Sequence, residues 1–172
     1  SASSGGLVVA NRRPPTQVKG VSELVDFGYV ADVKTVDETV LECLWSGGFV
    51  PMLSSVVIDD SGQALNLNAD TLVAALGKHL QADSVFFVAD VPGVFADLDS
   101  PQSHIPKLTP GQIDELVSQG IVRGGMVAKL TEMGRLIEAG VKSVWIVGLY
   151  EDNPVFSALV GTAGRRTQMS AT

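Results

Sequence analysis

The sequence predicts an α/β domain, a three-layer αβα sandwich whose mainly parallel sheet lies between helix layers. Three observations predict it. Runs such as FVPML and SVFFVAD are apolar nearly throughout, as strands covered on both faces are. Strand-like runs alternate with helical patterns along the chain. At 172 residues, with 45% hydrophobic and 18% charged side chains, the chain is long enough and apolar enough to bury one core without staples. No internal repeat or linker divides it, so a single domain over residues 1–172 is expected.

The elements follow in order. SASSGG lacks the charged start and apolar core of a signal peptide and reads as a cut end or a tag remnant. After the turn-rich GGLVVANRRPP, the run FGYVADVKTV from Phe27 to Val36 alternates as a strand or hairpin does. Asp37 is placed to cap ETVLECLWSGG, where Val40, Leu41, Leu44 and Trp45 fall at helical spacing and Gly47 and Gly48 supply a stop. FVPML is expected to be a short covered strand. SVVIDDSGQALNLN reads as two strands joined by a turn at Asp59, Asp60, Ser61 and Gly62.

A helix is predicted from Ala69 to Gln81, then SVFFVAD as a buried strand and a Pro- and Asp-rich loop from Val91 to Lys107. TPGQIDELVSQG is a helix with Thr109 as cap, Pro110 at its first position and Gly120 past its end. GMVAKLTEMGRLIEAG forms the next helix, KSVWIVGL a strand, and a last helix lies near Asn153 to Val160.

Charge and composition exclude several classes. Twelve Lys and Arg against nineteen Asp and Glu give a net charge of −7, and no window is basic beyond Arg12, Arg13 and Arg165, Arg166, so nucleic acid is not an expected partner. No apolar run reaches the roughly 18 residues that cross a bilayer, so no membrane span is expected. The single cysteine, Cys43, excludes an intrachain disulfide and is expected to be a buried small hydrophobe, which suits a reducing, cytoplasmic setting.

In an open parallel sheet ligands bind at the carboxyl ends of strands, and three such places are polar or glycine-rich. The first is LNLNADT: Asn66 and Asn68 share a face if both lie in a strand, either serves as a helix cap, and Asp70 in the first helical turn suits the positive end of the dipole. The second is Asp90, ending a buried strand before a turn at Pro92 and Gly93. The third is the helix opened by Gly124 and Gly125. Its free backbone donors are a natural place for phosphate. On its wheel Met126, Leu130, Met133 and Ile137 form a buried stripe, and Lys129 lies about 60° from Met126 at the edge of that stripe. Lys129 is thus able to reach along the packed surface toward the helix start, or alternatively to pair with Glu132 in solvent.

The segments GGLVVANRRPP, GYVADV, GFVPMLSSVVIDDSGQALNLNADT, ADSVFFVADVPGVF, IPKLTPGQIDELVSQGIVRGGMVAKL and ALVGTAGRRTQ stand in the order and spacing of the acetylglutamate kinases, and the sequence resembles that branch of the amino acid kinase family through nearly its whole length. The resemblance implies an ATP-dependent kinase, with magnesium held mainly by the nucleotide phosphates, that phosphorylates the side-chain carboxylate of N-acetylglutamate in arginine biosynthesis. It implies that Asn66 holds the acyl amino acid, that Asp70 orients the catalytic lysines and that Lys129 stabilises the transferring phosphoryl group. It further implies nucleotide contacts from Asp90, Val91, Pro92, Gly93, Val94 and Phe95, and from Ile121, Val122 and Arg123, with Gly125 and Met126 close by. No protein nucleophile is needed, because the substrate carboxylate attacks directly. His79 and His104 are expected to be structural and away from these segments.

Relative to the family the chain starts about halfway along, so it is expected to be the carboxy-terminal, nucleotide-binding half. The phosphate-cradling loops, a second lysine and a substrate-gripping arginine would lie in the amino-terminal lobe. Arg166 stands where the family has a glycine before the threonine. A non-catalytic kinase-like domain of the acetylglutamate synthase type, or a sister kinase for carrier-linked aminoadipate, is the alternative reading, and a homo-oligomer is compatible with each.

Overall fold

The structure is a computed structural model that describes residues 1–18, 20–162 and 164–172. It forms two compact units, Ser1–Leu76 and Gly77–Thr172. In chain order the first unit contains β1 (Val8–Arg12), β2 (Thr16–Gln17), β3 (Leu24–Val25), β4 (Val30–Val36), α1 (Thr39–Ser46), β5 (Val56–Ile58) and β6 (Ala64–Leu67). Helix α2 (Ala69–His79) carries the chain from one unit into the next.

Four strands of the first unit make a sheet in the order β1-β4-β6-β5, with β4 and β6 parallel and the outer pairs antiparallel. Its core is Leu7, Val8, Ala10, Ala31, Val57, Leu65 and Leu67, all buried. The turn between β5 and β6 forms as the sequence implies. Asp59 accepts hydrogen bonds from the Ser61 hydroxyl at 2.6 Å and the Gln63 N–H at 3.0 Å, which hold its carboxyl below the usual carboxylate range. The Asp37 carboxylate accepts from the Thr39 N–H at 3.0 Å and opens α1.

Two expectations in this unit fail. FVPML is not a strand: Val50 is 88% and Met52 94% exposed, in an irregular segment. Pro51 has no N–H to give a ladder, and a run of five apolar residues does not by itself bring a sheet edge to it. Cys43 is exposed, not buried. Helix α1 has only 8 residues and buries Leu41, and Cys43 lies about 200° around the wheel from Leu41.

The second unit continues with β7 (Ser84–Ala89), β8 (Val94–Phe95), β9 (His104–Ile105), β10 (Lys107–Leu108), α3 (Ile113–Ser118), α4 (Gly125–Glu138), β11 (Ser143–Gly148), α5 (Pro154–Val160) and β12 (Arg166–Met169). Its sheet runs β10-β12-β11-β7, with β7 and β11 parallel in register from Ser84 and Ser143 to Ala89 and Gly148. β12 is antiparallel to β11 and parallel to β10. The stripe expected on α4 is largely buried: Leu130 and Met133 are fully covered and Ile137 nearly so, each worth about 1.5–3 kcal/mol relative to exposure. Met126, at the head of the stripe, is half-buried. Between Val91 and Lys107 the expected loop contains a short antiparallel hairpin, β8 with β9. Gln112 accepts from the Thr109 N–H at 2.9 Å and closes the turn that leads into α3. Among the described residues no helix is long and apolar enough to cross a membrane.

Candidate functional site

The second unit holds a cleft of about 470 Å³ at the carboxyl end of β7. Two stretches far apart in sequence line it: Val91 and Gly93 to Leu98 on one side, Gly120 to Arg123 and Met126 on the other. Of the residues singled out in the sequence, the structure thus brings together Val91, Gly93, Val94, Phe95, Ile121, Val122, Arg123 and Met126. Asp90 is exposed at the end of β7, Pro92 packs beside Gly148, and Gly125 opens α4; these three do not line the cleft.

Each wall has a local cause. Gly93 turns at φ +127°, a conformation that favours glycine, and its N–H donates to the Val91 carbonyl at 2.8 Å. A Cβ there would meet Thr167 Oγ1 at 2.6 Å and His104 Nε2 at 2.9 Å. Thr167 is fully buried; its hydroxyl accepts from the Val94 N–H at 2.8 Å and donates to the Ile105 carbonyl at 2.7 Å, tying both strands of the hairpin to β12. On the other wall α3 ends at Ser118, Gly120 follows at φ +70°, and the N–H groups of Ile121 and Val122 return to the Leu116 carbonyl at 3.0 and 3.2 Å. The Arg123 Nε donates to the Gly120 carbonyl at 2.7 Å, which aims the guanidinium back along the loop. Gly124, φ 55° and ψ −131°, then redirects the chain into α4, whose first turn carries no acidic residue. The positive end of the helix dipole therefore stands without a protein carboxylate in that turn.

Lys129 is half-buried on α4 with its ammonium 4.9 Å from the centre of the Phe87 ring on β7. Glu132, the alternative partner, pairs with Arg135 at 2.9 Å. Asn66 and Asp70 belong to the first unit. Asn66 is exposed on β6, while Asn68 lies past the strand end, so the two do not share a strand face. Asn68 is the cap: its Oδ1 accepts from the N–H groups of Asp70 at 2.8 Å and Thr71 at 3.3 Å.

His104 corrects a further expectation. It does not lie away from the nucleotide-like segments: it pairs with Phe95 across the hairpin, ring centres 5.0 Å apart, and its buried Nε2 has no hydrogen-bond partner among the described residues. Burial, then the Arg165 charge, pushes the imidazole below its ordinary range, against a smaller opposing hydrogen bond with the Arg166 backbone. Sequence reading also missed Ala96, Asp97, Leu98 and Gly120 as cleft residues, and Thr167 as the group that fixes its wall. The glycine after the α3 pattern was visible as a helix stop, without its second use.

An α/β unit with a cleft beyond a parallel strand end, facing a glycine-opened helix, is the arrangement of small-molecule-binding α/β proteins. The chain belongs to the amino acid kinase family, whose model matches residues 7–148. It is 38% identical over 164 residues to an acetylglutamate kinase of Anaeromyxobacter dehalogenans (strain 2CP-C), covering 94% of this chain and 61% of that enzyme. The chain spans about three-fifths of the length of the curated relatives it matches. Among solved structures it is similar to N-acetylglutamate synthase from Neisseria gonorrhoeae complexed with coenzyme A and L-arginine, with a TM-score of 0.79 at 18% identity over 98% of this chain and 37% of that one. It is also similar to carbamate kinase from Giardia lamblia bound to AMP-PNP, with a TM-score of 0.60 at 18% identity over 98% and 54%. The fold is that of the amino acid kinases, and the α/β class expected from the sequence holds.

Proposed function

We propose that residues 1–172 are the nucleotide-binding part of an ATP-dependent acetylglutamate kinase, which acts in the cytoplasm on the side-chain carboxylate of N-acetyl-L-glutamate. The observation that carries this reading is the cleft that gathers Val91, Gly93 to Leu98, Gly120 to Arg123 and Met126 beside the start of α4. The names of the curated relatives support the substrate, and the AMP-PNP on the carbamate kinase neighbour supports the nucleotide.

In this reading Val94, Phe95, Ile121 and Met126 supply the apolar walls for the base, and the positive end of the α4 dipole, with no acidic residue in its first turn, attracts the anionic oxygens. Lys129 supplies positive charge where it develops on the transferring phosphoryl group, Asp70 is the orienting carboxylate and Asn66 holds the acyl amino acid. Magnesium, carried mainly by the nucleotide phosphates, neutralises their charge when bound. The attacking oxygen is the substrate's own, so the absence of a serine or cysteine nucleophile from the reading is consistent.

Calorimetric titration of the chain with magnesium and AMP-PNP tests it. Saturable heat is expected, lost in Ile121→Glu, which puts a carboxylate into the cleft. A folded wild-type chain that gives no heat beyond dilution at millimolar nucleotide overturns the site. In protein that turns over, Lys129→Met should lower kcat by roughly 10²-fold or more with the melting temperature unchanged, since Met keeps the helix and removes the charge. Near-wild-type turnover would remove Lys129 from the catalytic set.

A further inference from the structure

We propose that the groove on the outer face of the second unit's sheet, between Lys107, Trp145, Arg165 and Arg166, is a binding site for a small anion carrying at least two negatively charged oxygen groups, separate from the nucleotide cleft. The strand register builds it. Lys107 is paired with Gln168, Gln168 with Trp145, and Trp145 with Phe86, so these four side chains form one row across all four strands. The next residues along, Leu108, Met169 and Val144, take the opposite face and are buried. Arg166, two residues before Gln168, shares the row's face. Trp145 forms the floor of the groove, its ring stacked with that of Phe86 at 6.2 Å with 7° between planes, and the Arg166 guanidinium stands 5.9 Å from the Trp145 ring while donating to the Thr162 carbonyl at 2.7 Å.

The groove above this floor has a volume of about 310 Å³, at the small end of the range for small-molecule sites. No carboxylate lines it. Among the described residues Lys107, Arg165 and Arg166 form no ion pair; Glu151 and Asp152 line a separate crevice on the other side of the two arginines. Three cations thus line one groove that holds no carboxylate of its own, in a chain whose net charge is −7, while Glu151 and Asp152 stand in the adjoining crevice. Such convergence is unfavourable by Coulomb's law until an anion enters, and a groove with fixed walls concentrates its field. Guanidinium forks, an ammonium and the Gln168 amide are donors suited to carboxylate or phosphate oxygens. His104 lines the same groove, and the Arg165 charge already opposes its protonation, so the field is felt at a neighbouring group.

Trp145 is its own reporter. The chain has two tryptophans, and Trp45→Phe leaves Trp145 alone. This variant is titrated with citrate and, separately, with inorganic phosphate at constant ionic strength. A saturable change in Trp145 emission with Kd at or below about 1 mM is expected, weakened at least tenfold in Lys107→Gln/Arg165→Gln. Both substituted residues are exposed, and each single variant, showing part of the loss, serves if the pair does not fold. Tighter binding of citrate assigns the site to polycarboxylates, and tighter binding of phosphate to phosphate-bearing metabolites. No saturable change with either anion, or equal affinity in the variants, overturns the proposal. Because Ile121→Glu leaves the groove intact, loss of nucleotide binding and loss of anion binding are read independently.

Discussion

At the scale of single residues, Gly93 and His104 decide whether the cleft keeps its shape. Gly93→Ala must place a Cβ 2.6 Å from Thr167 Oγ1 on a backbone at φ +127°, and a buried hydroxyl that already makes two hydrogen bonds has little room to yield. The variant should lose about 1–3 kcal/mol in urea unfolding and bind AMP-PNP more weakly. Unchanged stability would mean that the turn relaxes freely. For His104 the argument runs through protons. The folded chain holds its imidazole below the ordinary range, mainly by burial, so the unfolded chain takes up the proton first as pH falls. The neutral histidine's contribution is full above the unfolded value of about 6.5 and is lost as pH falls from there through the folded value. His104→Phe, which keeps a ring against Phe95, should flatten the decline in stability between pH 7.5 and 5.5. The depressed carboxyls of Asp26, Asp59 and Asp83 titrate lower still, and what they contribute is held across this window and lost only in stronger acid. An unaltered slope in the variant would remove His104 from the linkage.

At the scale of elements, the LNLNADT motif holds a cap, Asn68, and the proposed substrate contact, Asn66. Asn68 accepts the first N–H groups of α2, so Asn68→Ala should cost about 1 kcal/mol, whereas the exposed Asn66 should cost less than about 0.5 kcal/mol when replaced by Ala. If Asn66 holds substrate, its loss appears in KM instead. Thermal unfolding and steady-state kinetics on the two variants tell these roles apart. The sequence made α2, α3 and α4 legible because apolar spacing and end residues agree at each. FVPML was misread because a short apolar run carries no period. The cleft was legible only through the family resemblance: nothing local in GIVRGGM says that it will face DVPGVF. Thr167 was not legible at all, since its bond to Val94 spans 73 residues of sequence and a threonine in a strand is ordinary. His104 was misjudged for the same reason, since pairing across the hairpin, and not sequence distance, puts it against Phe95.

At the scale of the whole molecule, the division into Ser1–Leu76 and Gly77–Thr172 gives nucleotide binding a distinct signature. Every lining residue of the cleft belongs to the second unit, so the free energy of binding enters there first. At nucleotide one hundred times its Kd a ligand that binds only the folded form adds about 2.7 kcal/mol, roughly a hundredfold in an opening equilibrium. Hydrogen exchange with magnesium and AMP-PNP should therefore slow about a hundredfold at amides of the second unit that exchange by its unfolding, and locally from Val91 to Leu98 and Gly120 to Met126. Amides of β1, β4 and β6 should be unchanged, because nothing in the first unit lines the cleft. The tryptophans provide a second reading, since Trp45 lies in the first unit and Trp145 in the second: in Trp45→Phe and Trp145→Phe chains, nucleotide should raise the unfolding midpoint seen by Trp145 and leave that seen by Trp45 in place. Equal slowing in both units, with both midpoints rising together, would show that the chain opens as one cooperative body. Slowing in neither would remove the cleft as the nucleotide site, whatever the family resemblance implies.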